Sequence, residues 1–365
     1  MNRYARIIPS YIVIAGFVAG PAIPSLAQEA PTPGSPAQTP DHPLVGTELT
    51  AAEQLAVEKG LTALARAQQA DGSFGQGMSK HVGITSLCAM AFMQAGNLPG
   101  RGKYGVQVER ALTFVVNSTQ ESGLICADQS SPPMYGHGFA TLFLAEAYGM
   151  TGDERVKEKL QKAIKLIQRS QNEQGGWRYQ PAPIDADISV TILQVMALRA
   201  ARDAGIKVEK EVIDRAILYV RNCQNTDGGF SYQMNQGGGG ASGFARSSAG
   251  LAALYYAGVS EGKEITKGLA YLKNFSPDKK GGRADAEGNF YYGQYYAVQA
   301  MFLAGGEHWA KWYPAIRDNL IQRQRKADGL WEGDNTTEYA TAMALLILQM
   351  PNRYLPVYSG KGPGS

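Results

Sequence analysis

The sequence predicts an all-α fold in which one helical hairpin is used six times, and three observations predict it. The first is a repeat. Lys59-Gly60, Leu64, Gln68, Gly72 and Phe74 recur with the same spacing as Lys162-Ala163, Ile167, Gln171, Gly175, Trp177 and as Arg215-Ala216, Val220, Gln224, Gly228, Phe230. Looser copies run through Arg110-Ala111, Gln120 and Gly123, through Lys267-Gly268, Leu272 and Gly281, and through Leu320, Gln324, Gly329 and Trp331. The marker glycines fall at 72, 123, 175, 228, 281 and 329, a recurrence every 48 to 53 residues. A period of that size is one supersecondary unit repeated. The second observation is that each unit carries two helical patterns of different character. In the third unit Val156, Leu160, Ile164 and Ile167 form one stripe, whereas Ile188 to Leu198 is apolar nearly all round. A one-sided helix lies outside and an all-round apolar helix lies inside, so six hairpins suggest an outer and an inner ring. The third is that no strand pattern recurs.

Taken along the chain, the elements follow from local chemistry. Arg3 and Arg6, the apolar run Ile7 to Gly20 and the small residues Ser25-Leu26-Ala27 have the order of an export signal, residues 1–27. Cleavage near Ala27 would give an exported protein, periplasmic or extracellular. Membrane contact would then come only through an uncleaved signal anchor. Residues 28–47 are rich in Pro and small polar residues and read as a linker. The repeats occupy 48–350 as one domain. Inner helices are expected near 84–96, 139–149, 188–200, 245–257, 291–304 and 338–349. Residues 351–365 read as a weakly structured tail.

The repeated Gln sits where it can satisfy polar groups orphaned at a helix end. The glycine after it permits a tight turn, and the following ring (Phe74, Trp177, Phe230, Trp331) covers that turn as a fold staple.

Composition narrows the function. A net charge of +3 with no clustered Lys or Arg gives no nucleic-acid partner. Three widely spaced cysteines and four histidines offer no paired-thiol metal site and no disulfide framework.

The motif resembles the repeat of squalene cyclases and protein prenyltransferase β-subunits, over about residues 48–350. The resemblance implies an (α/α)6 toroid whose inner helices run in one direction, with turn loops around one mouth and a pocket for isoprenoid or other apolar ligands. It also implies a site. Class II terpene cyclases protonate an alkene or epoxide with the middle acid of Asp-x-Asp-Asp. Asp185-Ala186-Asp187-Ile188 matches the first two acids, which makes Asp187 the proton donor and Asp185 its companion, while Ile188 departs from the pattern. An Asp at that place also suits a helix N-cap. Zinc-dependent prenylation is not expected, because Glu287-Gly288-Asn289 lacks the thiolate and Asn335 to Tyr339 lacks the His. Neither a metal nor a cofactor is expected.

Aligning the repeats on Thr85, Thr141 and Thr191 places His81, His137 and Asp187 in one slot at the mouth. They serve either a common ligand or their own helix starts. Tyr291, Tyr292 and Tyr295 on the fifth inner helix are pocket candidates or core. The loop from Gln236 to Gly243 is a lid or an idle insertion, and without a following Lys-Ser/Thr it is no phosphate loop. Three functions follow: an apolar-ligand toroid that could run acid-initiated terpenoid cyclisation, a non-catalytic toroid holding an extracytoplasmic protein or glycan, and a carbohydrate-active barrel. The candidate acids of the last are Asp185, Asp187, Asp285, Glu287 and Glu338.

Overall fold

The inner and outer character read from the sequence reappears as burial. The computed structural model describes residues 49–75, 81–127, 132–234, 240–278, 282–333 and 335–358. The export segment, the linker, much of the glycine-rich loop, Gly281 and residues 359–365 lie outside the described residues. In chain order the helices are α1 (Ala51–Ala67), α2 (Val82–Met93), α3 (Gly105–Asn117), α4 (Pro133–Thr151), α5 (Glu154–Arg169), α6 (Ile188–Asp203) and α7 (Lys210–Asn222). They continue as α8 (Phe244–Tyr256), α9 (Lys263–Leu272), the single turn α10 (Arg283–Ala286), α11 (Phe290–Ala304), α12 (Gly306–Arg323) and α13 (Thr337–Leu348). Every residue of α2 except Ile84 is buried. In α5 only the stripe of Val156, Leu160, Ala163, Ile164, Leu166 and Ile167 is buried.

The helices α2, α4, α6, α8, α11 and α13 pack each against the next, and α13 packs back onto α2. That contact closes the inner ring, and the remaining long helices clothe it. The protein is an (α/α)6 toroid with no strand among the described residues.

The repeat motif is the stitching between neighbouring outer helices. Gln171 Nε2 donates to Gly175 O at 2.9 Å within its own turn and to Val212 O at 2.8 Å on α7. Gln68, Gln224 and Gln324 repeat the pattern, and Gln324 reaches Ala56 O on α1 at 2.8 Å. That last bond joins the final repeat to the first. Gly175 has φ +96°, and a Cβ there would strike the carbonyl of Arg215 on the next outer helix. Only glycine accepts both demands. The staple ring then locks the hairpin: Trp177 Nε1 donates to Ile167 O at 2.7 Å, and its backbone N–H donates to Thr191 Oγ1 at 3.1 Å. Trp331 makes the same pair of bonds with Leu320 O and Thr341.

The expected loose tail is corrected up to residue 358. Met350–Asn352 and Pro356–Tyr358 form 3₁₀ turns with Leu355, Val357 and Tyr358 buried. Leu355 N–H donates to Gln94 Oε1 at 3.0 Å, Val357 N–H to Glu146 Oε2 at 3.3 Å, and Tyr358 shares a 2.9 Å hydrogen bond with Tyr295. This segment seals the end where the inner helices stop. Pro351 misled because a proline cannot continue α13, yet the apolar residues after it find a vacant core site.

Candidate functional site

All six inner helices begin at the opposite end, and there the ring opens into a cavity of about 570 Å³. Its wall takes residues from the first turns of every inner helix. These include His81 and Ile84, Tyr135 and Phe139, Ser189, Arg246, Tyr292, and Tyr339 beside Thr336. Tyr232 joins from the turn before α8, and Asn289 and Asn335 stand at the rim. Tyr292 spans the opening, its hydroxyl donating to Ser189 O on α6 at 3.0 Å. Behind it the axis is packed, with Tyr296 edge-on to Tyr292 at 4.8 Å.

Asp187 stands behind this wall. It is fully buried as the N-cap of α6, where Oδ1 accepts from Ser189 N, Val190 N and Ser189 Oγ at 2.9, 2.9 and 2.6 Å. Oδ2 lies 3.7 Å from Arg178 Nε. Burial raises its pKa above the ordinary value, against the pull of the capping donors and of Arg178. Ser189 and its 2.7 Å partner Tyr135 meet the cavity, and Asp187 does not. Asp185 is exposed and paired with Arg178.

The other sequence candidates separate by chemistry. His81 and Tyr292 line the cavity. His81 is also the N-cap of α2, its Nδ1 accepting Gly83 N–H at 3.0 Å. The remaining candidates lie off the wall. His137 is buried within α4 and takes Ile125 N–H at 3.2 Å, and burial pushes its pKa down to about 3. Tyr291 donates to Glu332 O, and Tyr295 lies in the core against Tyr358. Glu287 accepts Phe244 N–H at 2.6 Å and so caps α8 from outside. Glu338 sits in the first turn of α13, and Asp285 pairs with Arg323. The shared slot has a structural cause: Thr85 and Thr191 take the backbone N–H of Phe74 and Trp177, so alignment on them finds helix starts.

Sequence reading missed Tyr135, Phe139, Tyr232, Arg246 and Tyr339. Four of them lie in the first two turns of inner helices, and that register was the available signal. Repeat alignment favoured acids and histidines over rings.

Two family models match the chain: the squalene-hopene cyclase C-terminal domain over residues 139–288 and the prenyltransferase α/α-toroid domain over residues 44–139. No curated protein sequence matches. Among solved structures, an inactive variant of the α-1,6-mannanase GH76A of Salegentibacter sp. HEL1_6 in complex with α-1,6-mannotriose aligns at 9% identity and a TM-score of 0.63. That alignment covers 83% of this chain and 99% of that one. The type II terpene cyclase MstE from Scytonema aligns at 14% identity and a TM-score of 0.56, over 84% of this chain and 100% of that one. A variant of it in complex with geranylgeranyl dihydroxybenzoate aligns at 14% identity and a TM-score of 0.55, over 84% and 98%. At such identities these structures establish shared fold alone. With the repeat motif, the closed double ring and both family models in agreement, the chain belongs to the squalene-cyclase/prenyltransferase superfamily of α/α toroids.

Proposed function

We propose that this chain is a binding toroid whose inner-ring mouth holds a small, ring-bearing, hydroxyl-rich ligand, a saccharide. The observation that carries this reading is the composition of the wall. Five rings (Tyr135, Phe139, Tyr232, Tyr292, Tyr339) stand among Ser189, Thr336, Asn289 and Asn335, with no Asp or Glu among the described lining residues. Aromatic faces cover the apolar faces of a sugar ring, while amides and hydroxyls bond its edge. The volume falls within the usual range for small-ligand pockets, roughly 300–1,000 Å³. The mannanase of shared fold, seen with mannotriose, gives the reading a precedent in this architecture. Most glycoside hydrolases use two carboxyl groups flanking the bond. The described wall supplies neither, so the reading is of binding without cleavage. The export-like segment at 1–27 supports a ligand met outside the cytoplasm.

One observation favours a second reading, acid-initiated cyclisation: a buried carboxyl of raised pKa, Asp187, stands directly behind the wall. The experiment that separates the two is calorimetric titration with mannotriose, run beside incubation with squalene and linear prenyl diphosphates and mass spectrometry of the products. Saccharide binding that weakens at least about tenfold in Tyr339→Ala, as removal of one stacking ring implies, supports the binding toroid. A cyclised product that vanishes in Asp187→Asn contradicts it and installs the second reading. Asn retains the capping acceptor, so folding persists in that variant.

A further inference from the structure

We infer that the preferred ligand of this mouth is an acidic saccharide, its carboxylate paired with Arg246; this rests on the binding reading above. Arg246 enters the wall from the first turn of α8 and is the one permanently charged side chain in the described lining. Its Nε is buried and has no hydrogen-bond partner among the described residues. A desolvated guanidinium N–H without an acceptor is unfavourable, and three carboxylates at this end of the barrel have other partners. Asp187 caps α6, Asp185 pairs with Arg178, and Glu287 caps α8 with its other oxygen 3.8 Å from Arg283 Nε. The guanidinium fork matches a carboxylate, and a ligand can bring one.

Two glycines make room for the basic side chains of the wall. Gly243 has φ −147°, an extended conformation open to any residue, yet a Cβ there would lie 2.8 Å from Arg246 Cζ. Gly136 stands in the first turn of α4, where almost any other residue would stabilise the helix more. A Cβ there would collide with His81 Cε1. Because His81 Nδ1 accepts from Gly83, the neutral imidazole carries its proton on Nε2 as a donor.

The backbone adds to this potential. The helices α2, α4 and α11 open onto the mouth with no acidic residue at the cap or in the first turn, leaving their positive dipole ends unopposed by a local carboxylate. A single guanidinium suits a single carboxylate. A diphosphate would call for further cations, and no Lys stands in the described wall. The rings then serve the sugar body.

The test is calorimetric titration of the full chain with trigalacturonate, its methyl ester and geranylgeranyl diphosphate, at low and high salt. Trigalacturonate should bind roughly tenfold to a hundredfold tighter than the ester, as one charge-assisted pair implies. High salt should shrink the margin. Arg246→Gln should erase the preference, read as the ratio of acid to ester affinity falling to about one. Gly243→Ala keeps the charge but displaces the guanidinium, and should reduce the preference as well. If Arg246→Gln does not fold, Arg246→Lys keeps the charge without the fork and should narrow the margin. Equal binding of acid and ester, or a preference that survives Arg246→Gln, overturns this inference and leaves the binding reading standing. Binding of neither saccharide overturns the binding reading itself. Tighter binding of the diphosphate than of trigalacturonate overturns the inference in favour of an isoprenoid anion.

Discussion

Trp177 shows how one residue of the repeat acts at several levels. Its ring is buried to 1% exposure, its indole N–H donates to the carbonyl of Ile167 at the end of α5, which Ser170 also bonds, and its backbone is held by Thr191 of α6. Removing the ring leaves a cavity and removes one of the hydrogen bonds at the end of α5, so Trp177→Ala should lower stability by about 3–5 kcal/mol. Chemical denaturation would read this as a lower midpoint with little change in slope, and wild-type stability would contradict the staple role. This much was legible in sequence, because a residue repeated at fixed spacing in the same local turn must do the same job in each copy. The roles of Asp187 and His81 were less legible. A helix start and a ligand contact demand the same small set of polar residues, and only position relative to the cavity separates them.

Among elements, the segment closing the far end of the barrel is the clearest departure from sequence expectation. It escaped detection because it is short, non-periodic and begins at Pro351, while its burial depends on partners distant in sequence. Its link to α4 has a pH signature. Glu146 is buried, and that burial lifts its pKa to about 8, with Asp203 adding to the rise and the Val357 N–H opposing it. The folded chain therefore holds a proton there that the unfolded chain has released, across the window from the ordinary glutamate value near 4.5 up to about 8. The contribution to stability is full below that window and is lost as pH rises through it. Glu146→Gln keeps an acceptor for Val357 without the titration, so its melting temperature should fall less than wild type between about pH 5 and 8. Identical pH profiles would contradict the assignment.

For the whole molecule, the periodicity specified six hairpins but was silent on closure, since an open solenoid has the same period. Closure is written in long-range pairs: Gln324 with Ala56, Gly329 against Lys59, and α13 against α2. If the seam is equivalent to the other joints, Gln324→Ala should destabilise the protein about as much as Gln171→Ala, each losing two hydrogen bonds worth roughly 1 kcal/mol apiece. A much smaller loss at Gln324, measured by urea unfolding, would mean that the ring is open there. Closure in turn creates the mouth, since it brings six helix starts around one opening. Whether this mouth holds the ligand is best read by ring-¹³C labelling of tyrosine and titration with acidic and neutral trisaccharides. The resonances of Tyr135, Tyr232, Tyr292 and Tyr339 should shift with ligand while those of the buried Tyr219 and Tyr358 stay still. Shifts confined to tyrosines away from the mouth, or none with any saccharide, would contradict a ligand site there.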